Sequence, residues 1–353
     1  MIKVGIIGAN PDRGWAVRAH VPALHALPEH YRLTAVATAN PDSAHRAAAQ
    51  FGAEHAFADH RRLVEHPDVD LVIVSVKVPT HLELAGAAIA AGKHVFSEWP
   101  LTVTTAEALR LADLADAAGV RTTIGLQARF APAVARAADL IAAGRIGRVT
   151  SITSYGARTK GGGSTIPQWL AYTYDRTTGA GALEITGGHT LDAVRFLAGP
   201  IALRPAITAI ANPRHTIAET GEVVETTTPD QIVVTGDSAG GATVSMSIHD
   251  GVAGPSLARV EIAGTEGKLA VDTLPTDSPF GAQLQIGPLR LREFRDGTWQ
   301  DVELPTWPGL PDEAVNVARL YRRLAEDLRT GSRVVPDFRA ATEVHQLLDT
   351  LRG

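Results

Sequence analysis

The residues of this chain whose types and spacing could do chemistry fall into two groups, and the first is a loop. Gly8-Ala9-Asn10-Pro11-Asp12-Arg13-Gly14-Trp15 follows an apolar run and opens a helical pattern. A loop so placed turns backbone N–H groups and the positive end of a helix dipole toward a pyrophosphate. It departs from Gly-x-Gly-x-x-Gly by its length and by Asn10 at the second glycine, so a plain strand-to-helix turn is the competing reading. Thr38, Ala39 and Asn40 stand at the tip of the second apolar run, where a carboxylate would bond the ribose of NAD. Without that charge a 2'-phosphate is not repelled, which gives a modest expectation of NADP over NAD. The second group is His189 with Asp192, three residues on and on the same face of a helix. An imidazole exchanges a proton near neutral pH and Asp192 could bind a hydroxyl; alternatively, the two are a bracing histidine and a solvated helix residue.

These groups need a scaffold. Residues 2–8 read as a buried strand, followed by strands at 33–38, 71–76, 94–97 and 121–125 and helices through 15–24, 42–51, 82–91 and 106–118. Apolar strands alternating with helices at this spacing specify a parallel sheet covered on both faces. Gly92 and Gly119 fall just past two of the helices, where a C-cap needs positive φ. After about residue 126 the texture changes. A helix at 131–142 precedes alternating segments at 148–155, 231–235, 242–249, 258–262 and 268–271, and helical patterns at 313–329 and 340–351 close the chain. The fold class is therefore α/β: a Rossmann doubly wound parallel sheet over residues 1–125, then an α+β domain with an open antiparallel sheet over 126–353.

Composition narrows the function. The 353 residues are 45% hydrophobic and 20% charged, a soluble globular profile with room for two cores. Net charge is −5 with no basic run, so direct nucleic-acid binding is not expected. Cysteine is absent, which excludes disulfides, thiolate metal sites and a Cys nucleophile. His45, His55, His60 and His66 sit at spacings that make no metal set, and no metal is expected. No apolar run approaches the roughly 20 residues of a membrane helix, and no leader pattern is visible, so a cytoplasmic protein is expected.

Longer stretches carry a family resemblance. VGIIGAN with His20-Val21-Pro22-Ala23-Leu24, the segment 78–101 (VPTHLELAGAAIAAGKHVFSEWPL), Gln127-Ala128-Arg129-Phe130 and the segment 179–199 (GAGALEITGGHTLDAVRFLAG) resemble the glucose-fructose oxidoreductase/inositol dehydrogenase/MocA (Gfo/Idh/MocA) family over nearly the whole chain. The resemblance implies a large, mostly antiparallel C-terminal sheet, substrate bound between that sheet and a nicotinamide, and a homodimer or homotetramer made through sheet faces. It implies cofactor contacts from Gly8, Ala9, Asn10, Gly14, Trp15, Thr38, Asn40, Val76, Lys77, His81, Glu98, Trp99 and Gln127. A carbohydrate-like ligand would meet Trp99, Arg129, Lys160, Trp169, Tyr172, Tyr174, His189 and Asp192, with His189 at the reacting hydroxyl.

Two departures qualify this. The family's Glu-Lys-Pro motif, whose Lys relays the substrate proton, reads Glu98-Trp99-Pro100, and the acidic residue four before the active-site His falls on Ile185. With Gly14-Trp15-Ala16, Tyr172-x-Tyr174-Asp175, Gly188-His189-Thr190 and Pro229-Asp230, they bring the chain nearest the branch of the yeast galactose-regulon repressor, which binds a dinucleotide without known need for turnover. Lys77, at the carboxyl edge of the sheet, could replace the lost lysine if a dry cleft lowers its pKa, or could bond ribose or reach solvent. Three functions follow as expectations: an NAD(P)-dependent oxidoreductase of a sugar, polyol or derivative; a catalytically silent sensor of dinucleotide and ligand that regulates a partner; and a redox-neutral NAD-dependent glycoside-processing enzyme.

Overall fold

Six short strands, β1 (Ile2–Ile7), β2 (Tyr31–Ala37), β3 (His55–Phe57), β4 (Leu71–Val74), β5 (His94–Ser97) and β6 (Thr122–Ile124), pair in the order β3-β2-β1-β4-β5-β6, every pairing parallel. The computed structural model describes residues 1–159, 165–252 and 254–352. β4 is apolar at all four positions and fully buried, as a strand covered on both faces must be. The register sets Ile7 level with Ala37 on one side and Val74 on the other. The loops opening at Gly8, Thr38 and Ser75 therefore leave one carboxyl edge at one height, at the point where strand order reverses.

The helices between these strands are α1 (Val21–His25), α2 (Pro41–Phe51), α3 (His60–Val64), α4 (His81–Ala90) and α5 (Thr105–Ala118). Asn40 caps α2 by accepting from Ser43 N at 2.9 Å. Thr104 and Glu107 form a capping box on α5, which ends at Gly119 with φ +66°.

The chain continues through α6 (Pro132–Ala142), β7 (Val149–Arg158), β8 (Thr165–Ile166), α7 (Gly188–Ala198), β9 (Ile201–Leu203), β10 (Ile207–Ala209), β11 (Arg214–Ile217), β12 (Val223–Glu225), β13 (Gln231–Ser238), β14 (Thr243–Asp250), β15 (Leu257–Gly264), β16 (Lys268–Thr273), β17 (Leu289–Arg295) and β18 (Thr298–Val302), then α8 (Asp312–Thr330) and α9 (Phe338–Arg352). Among the described residues nine strands form one sheet, β10-β13-β14-β7-β15-β16-β17-β18 with β9 on β13, antiparallel except for β14 with β7. A row across it, Val234, Met246, Ser154, Val260, Val271 and Leu291, is buried, while the neighbouring row, Val233, Ser247, Tyr155 and Arg259, lies on the opposite face. One face thus carries the core and the other is open. β8, β11 and β12 form a separate small sheet.

By contacts the chain divides into two compact units, Met1–Gln127 with Trp307–Glu343 and Ala128–Thr306 with Val344–Gly353. The return to the first unit brings α8, whose fully buried Tyr321 packs its ring against Phe96, Tyr31 and His20. Asp327 closes α8: buried, it accepts from Ser332 Oγ at 2.6 Å, Val334 N at 2.7 Å and Val335 N at 2.9 Å. The following segment then runs beside β6, where Ile124 N donates to Pro336 O at 2.9 Å.

Burial opposes ionisation of Asp327, but its bonds from Ser332, Val335 and Val334 and the Arg323 charge win, holding its carboxyl below the usual range. Asp327→Ala strips partners from buried N–H groups, and we expect a loss of about 2 kcal/mol and a melting temperature lower by roughly 4–8 °C in scanning calorimetry. A depressed carboxylate contributes stability above about pH 4 and loses it as pH falls through its folded value, so the difference between wild type and variant shrinks in acid.

Candidate functional site

At the carboxyl edge of the first sheet the backbone comes closest at Gly8. Its φ is +96°, and a Cβ there would lie 2.2 Å from Ser75 O and 2.7 Å from Val76 Cγ1. Only glycine fits. Asn10, where the fingerprint has glycine, closes the loop by accepting from Asp12 N at 2.9 Å and Arg13 N at 3.3 Å. Two of the N–H groups the loop could offer a phosphate are therefore committed to Asn10. Ala9 is buried, and Gly14, with φ +105°, has open space where its Cβ would be. Half-buried Trp15 leads into a π-helical turn, Ala16–His20, of the kind often found at functional positions.

At the tip of β2, Thr38 Oγ1 contacts Ser43 Oγ at 2.5 Å, and exposed Asn40 is held as the α2 cap. The fold adds Arg46, which no sequence spacing had linked to this edge: it grips Asp12 bidentately at 3.0 and 2.7 Å. Beyond β4, the Ser75 hydroxyl and Gln127 Oε1 are buried without hydrogen-bond partners. His81 is fully buried, its Nε2 3.1 Å from Val76 O and its Nδ1 2.9 Å from Pro100 O, and burial pushes its pKa down. Trp99 is 5% exposed. Glu98 Oε1 lies 2.9 Å from His20 Nε2. Lys77 is exposed, where the sequence reading expects a dry cleft around it.

A glycine pressed against the Ser75 backbone, with two buried polar groups lacking partners on the loops after β4 and β6, fits a bound dinucleotide at this edge. Gly8, Ala9, Gly14 and Trp15 lie on the loop after β1, Ser75 and Val76 on the loop after β4, His81 at the start of α4, Glu98 and Trp99 after β5, and Gln127 after β6.

In the second unit a further π-helical turn, Leu183–Gly187, leads into α7 and places His189, 5% exposed, with Nδ1 buried and unbonded. Arg158, at the end of β7, donates to Thr186 Oγ1 at 2.5 Å and faces Asp250 Oδ1 at 3.3 Å. Burial, and then the charge of Arg158, push the His189 imidazole down to about 3. At that value the imidazole is neutral at neutral pH, away from the range in which the sequence reading has it exchange a proton, and Ile185 supplies no carboxylate to raise it. Asp192 is not solvated. It is fully buried and bound bidentately by Arg129, with Nε at 2.8 Å from Oδ2. Tyr174 is buried with its ring 4.2 Å from that of His215, half-buried Tyr172 is nearby in sequence, and Trp169 is 41% exposed with an edge contact to Phe280. Burial raises both tyrosine pKa values. Lys160 lies outside the described residues.

The fold also gathers a group that spacing had excluded: ligand atoms of His55, His66 and Asp68 lie within 4.8 Å of one another. Asp68 is engaged there by Lys3 at 2.8 Å. Among the described residues no helix is long and apolar enough to cross a membrane.

Comparison with known proteins places two family models on the chain. "Oxidoreductase family, NAD-binding Rossmann fold" matches residues 2–126, and "Gal80p, C-terminal domain" matches residues 132–273. The dehydrogenase aclE of Aspergillus oryzae is 33% identical over 289 residues, 77% of this chain and 76% of that protein. The galactose/lactose metabolism regulatory protein GAL80 of Saccharomyces cerevisiae is 25% identical over 77% of this chain and 66% of its own length. A crystal structure of a super-repressor mutant of Gal80p from the same yeast superposes with a TM-score of 0.87 at 23% identity, covering 99% of this chain and 95% of that one; it shows the shared fold.

Gly8→Val is expected to abolish dinucleotide binding in calorimetry while circular dichroism stays native; unchanged affinity in a folded variant would remove this loop from the site. For His189 the sign is fixed by its lowered pKa. Between about 6.5 and about 3 the unfolded chain binds a proton the folded chain refuses, so stability falls as pH drops through that window, by at most about 1.4 kcal/mol per pH unit. Denaturant titrations of His189→Gln from pH 7 to pH 4 are expected to show a correspondingly flatter decline.

Proposed function

The chain belongs to the Gfo/Idh/MocA oxidoreductase family with its NAD-binding Rossmann fold, and from that premise we propose that it exchanges hydride between a bound nicotinamide dinucleotide and a sugar, polyol or related derivative. The observation that carries the reading is the Gly8 approach to Ser75, with unbonded buried side chains at Ser75 and, after β6, at Gln127. When bound, the nicotinamide supplies the hydride chemistry; the chain's part is to hold, orient and move a proton. Neutral His189 holds the reacting hydroxyl by hydrogen bonding. The Arg129–Asp192 pair keeps α7 fixed behind it. Trp99, in place of the relay lysine, is 5% exposed, which favours packing beside the nicotinamide over stacking on a pyranose. Trp169, Tyr172 and Tyr174, with Lys160, are assigned to the carbohydrate side. Lys77 is exposed, which favours a role at the ribose over the alternative of taking the hydroxyl proton, a step only the neutral amine can perform.

Thr38 and Asn40 support a modest preference for NADP over NAD, and Arg46 becomes the candidate for a 2'-phosphate once Asp12 lets it go. A cytoplasmic homodimer or homotetramer, joined through the open face of the nine-stranded sheet, completes the proposal. A second reading has its own support: the loss of lysine at Trp99 and the match of residues 132–273 to the Gal80p C-terminal domain favour a dinucleotide-dependent regulator of a partner protein.

A screen of sugars, polyols and glycosides with NAD and NADP, read by reduced-nicotinamide absorbance beside calorimetry, separates these. Net turnover is expected. Binding without turnover would turn the assignment to the regulator, and aglycone release without net reduction to a redox-neutral glycoside enzyme. In the active enzyme Lys77→Met is expected to weaken cofactor binding with kcat intact; a lower kcat with cofactor affinity kept moves Lys77 to the hydroxyl proton. Asp12→Ala is expected to raise the affinity for NADP relative to NAD several-fold, and an unchanged ratio would exclude Arg46 from the 2' position.

A further inference from the structure

The His20 motif in the sequence has found no role so far, and it sits in a buried chain of polar groups within the first unit. The π-helical turn ending at His20 sets its ring against Phe96, with 5.2 Å between ring centres. His20 is fully buried, and its Nδ1 lies 2.6 Å from the Tyr321 hydroxyl. Burial keeps that phenol protonated, so it donates to Nδ1 and leaves the imidazole proton on Nε2. Nε2 lies 2.9 Å from Glu98 Oε1, off the direction of an aligned hydrogen bond. Oε1 is thus both the oxygen that faces the ring edge and the one that makes no aligned hydrogen bond. Gly125 makes the space: a Cβ there would come within 2.7 Å of Glu98 Oε2. Tyr31 donates to Tyr321 O at 2.7 Å and ties the α8 turn in place.

Glu98 directly follows β5. In a sheet of this strand order a dinucleotide lies across the reversal between β1 and β4, pyrophosphate at the first loop and adenosine toward β2, so its nicotinamide half falls on the side of β4 and β5. We propose that Tyr321 and His20 clamp Glu98 at the end of β5 as a fixed negative charge, and that this charge selects the oxidised, cationic nicotinamide over the neutral reduced ring. An orphaned carboxylate oxygen in a water-poor position is stabilised by a cation and gains nothing from a neutral ring of the same shape. Glu98 is in this sense a positioning residue for charge, and it rests on the dinucleotide part of the function proposed above.

The test is equilibrium binding of NAD+ and NADH to the full chain without substrate, by calorimetry and tryptophan fluorescence at pH 7.5. Glu98→Gln is expected to shift the ratio of the two dissociation constants about tenfold toward NADH. His20→Gln, which removes the clamp and keeps the carboxylate free to swing away, is expected to shift it in the same direction by a smaller factor; it also serves if Glu98→Gln fails to fold. Glu98→Asp, which retains the charge, is expected to restore most of the wild-type ratio. A merely structural role would weaken both nucleotides together, so an unshifted ratio in folded Glu98→Gln overturns this inference while leaving the dinucleotide site standing. Wild-type protein that binds neither nucleotide overturns both.

Discussion

The contact on which the first unit's architecture turns is the passage of the Gly8 backbone beside the Ser75 carbonyl. Three parallel strands end level there, and β1 can leave the sheet toward its helix only because the residue at the crossing has no Cβ. The groups proposed for the cofactor lie on the segments that leave this carboxyl edge: the Asn10-closed loop, the Asn40 cap, Ser75, Glu98 and Gln127.

The two units answer the problem of buried polarity differently. In the first, buried ionisable groups are knitted into chains that run between elements distant in sequence, as Glu98, His20 and Tyr321 do. In the second, the charges are paired and closed: Arg129 with Asp192, Arg158 with Asp250. His189 lies among them with a cation nearby, and its basicity is suppressed. A residue type that reads as a base in sequence is here an oriented neutral dipole.

Periodicity made much of this legible. Buried parallel strands announce themselves as continuous apolar runs, and the helix stops at Gly92 and Gly119 follow from the need for positive φ, so the doubly wound sheet could be read along the chain. β3 and α3, of three and five residues, fall below the length at which a period can be seen. β17 and β18 are richly charged, and their signal was the turn itself, Asp296-Gly297, both at positive φ. What sequence could not supply was partnership across long separations. Asp192 read as a hydroxyl ligand or a solvated residue one turn from a histidine because nothing in its neighbourhood names Arg129, and Arg46 and Asp12 are joined only once α2 folds back beside the first loop. The group of His55, His66 and Asp68 arose the same way, from β3 and the turn after α3 meeting at the sheet's edge.

The return of residues 307–343 to the first unit has a temporal meaning. A ribosome delivers all six strands of the parallel sheet long before it delivers Tyr321, and until α8 arrives Phe96, Tyr31 and His20 lack the ring that covers them. The nascent sheet must therefore wait, partly uncovered, through the synthesis of nearly all of the second unit. Translation order leaves the dinucleotide-side unit, the first to be begun, incomplete until nearly all of the second unit has been made.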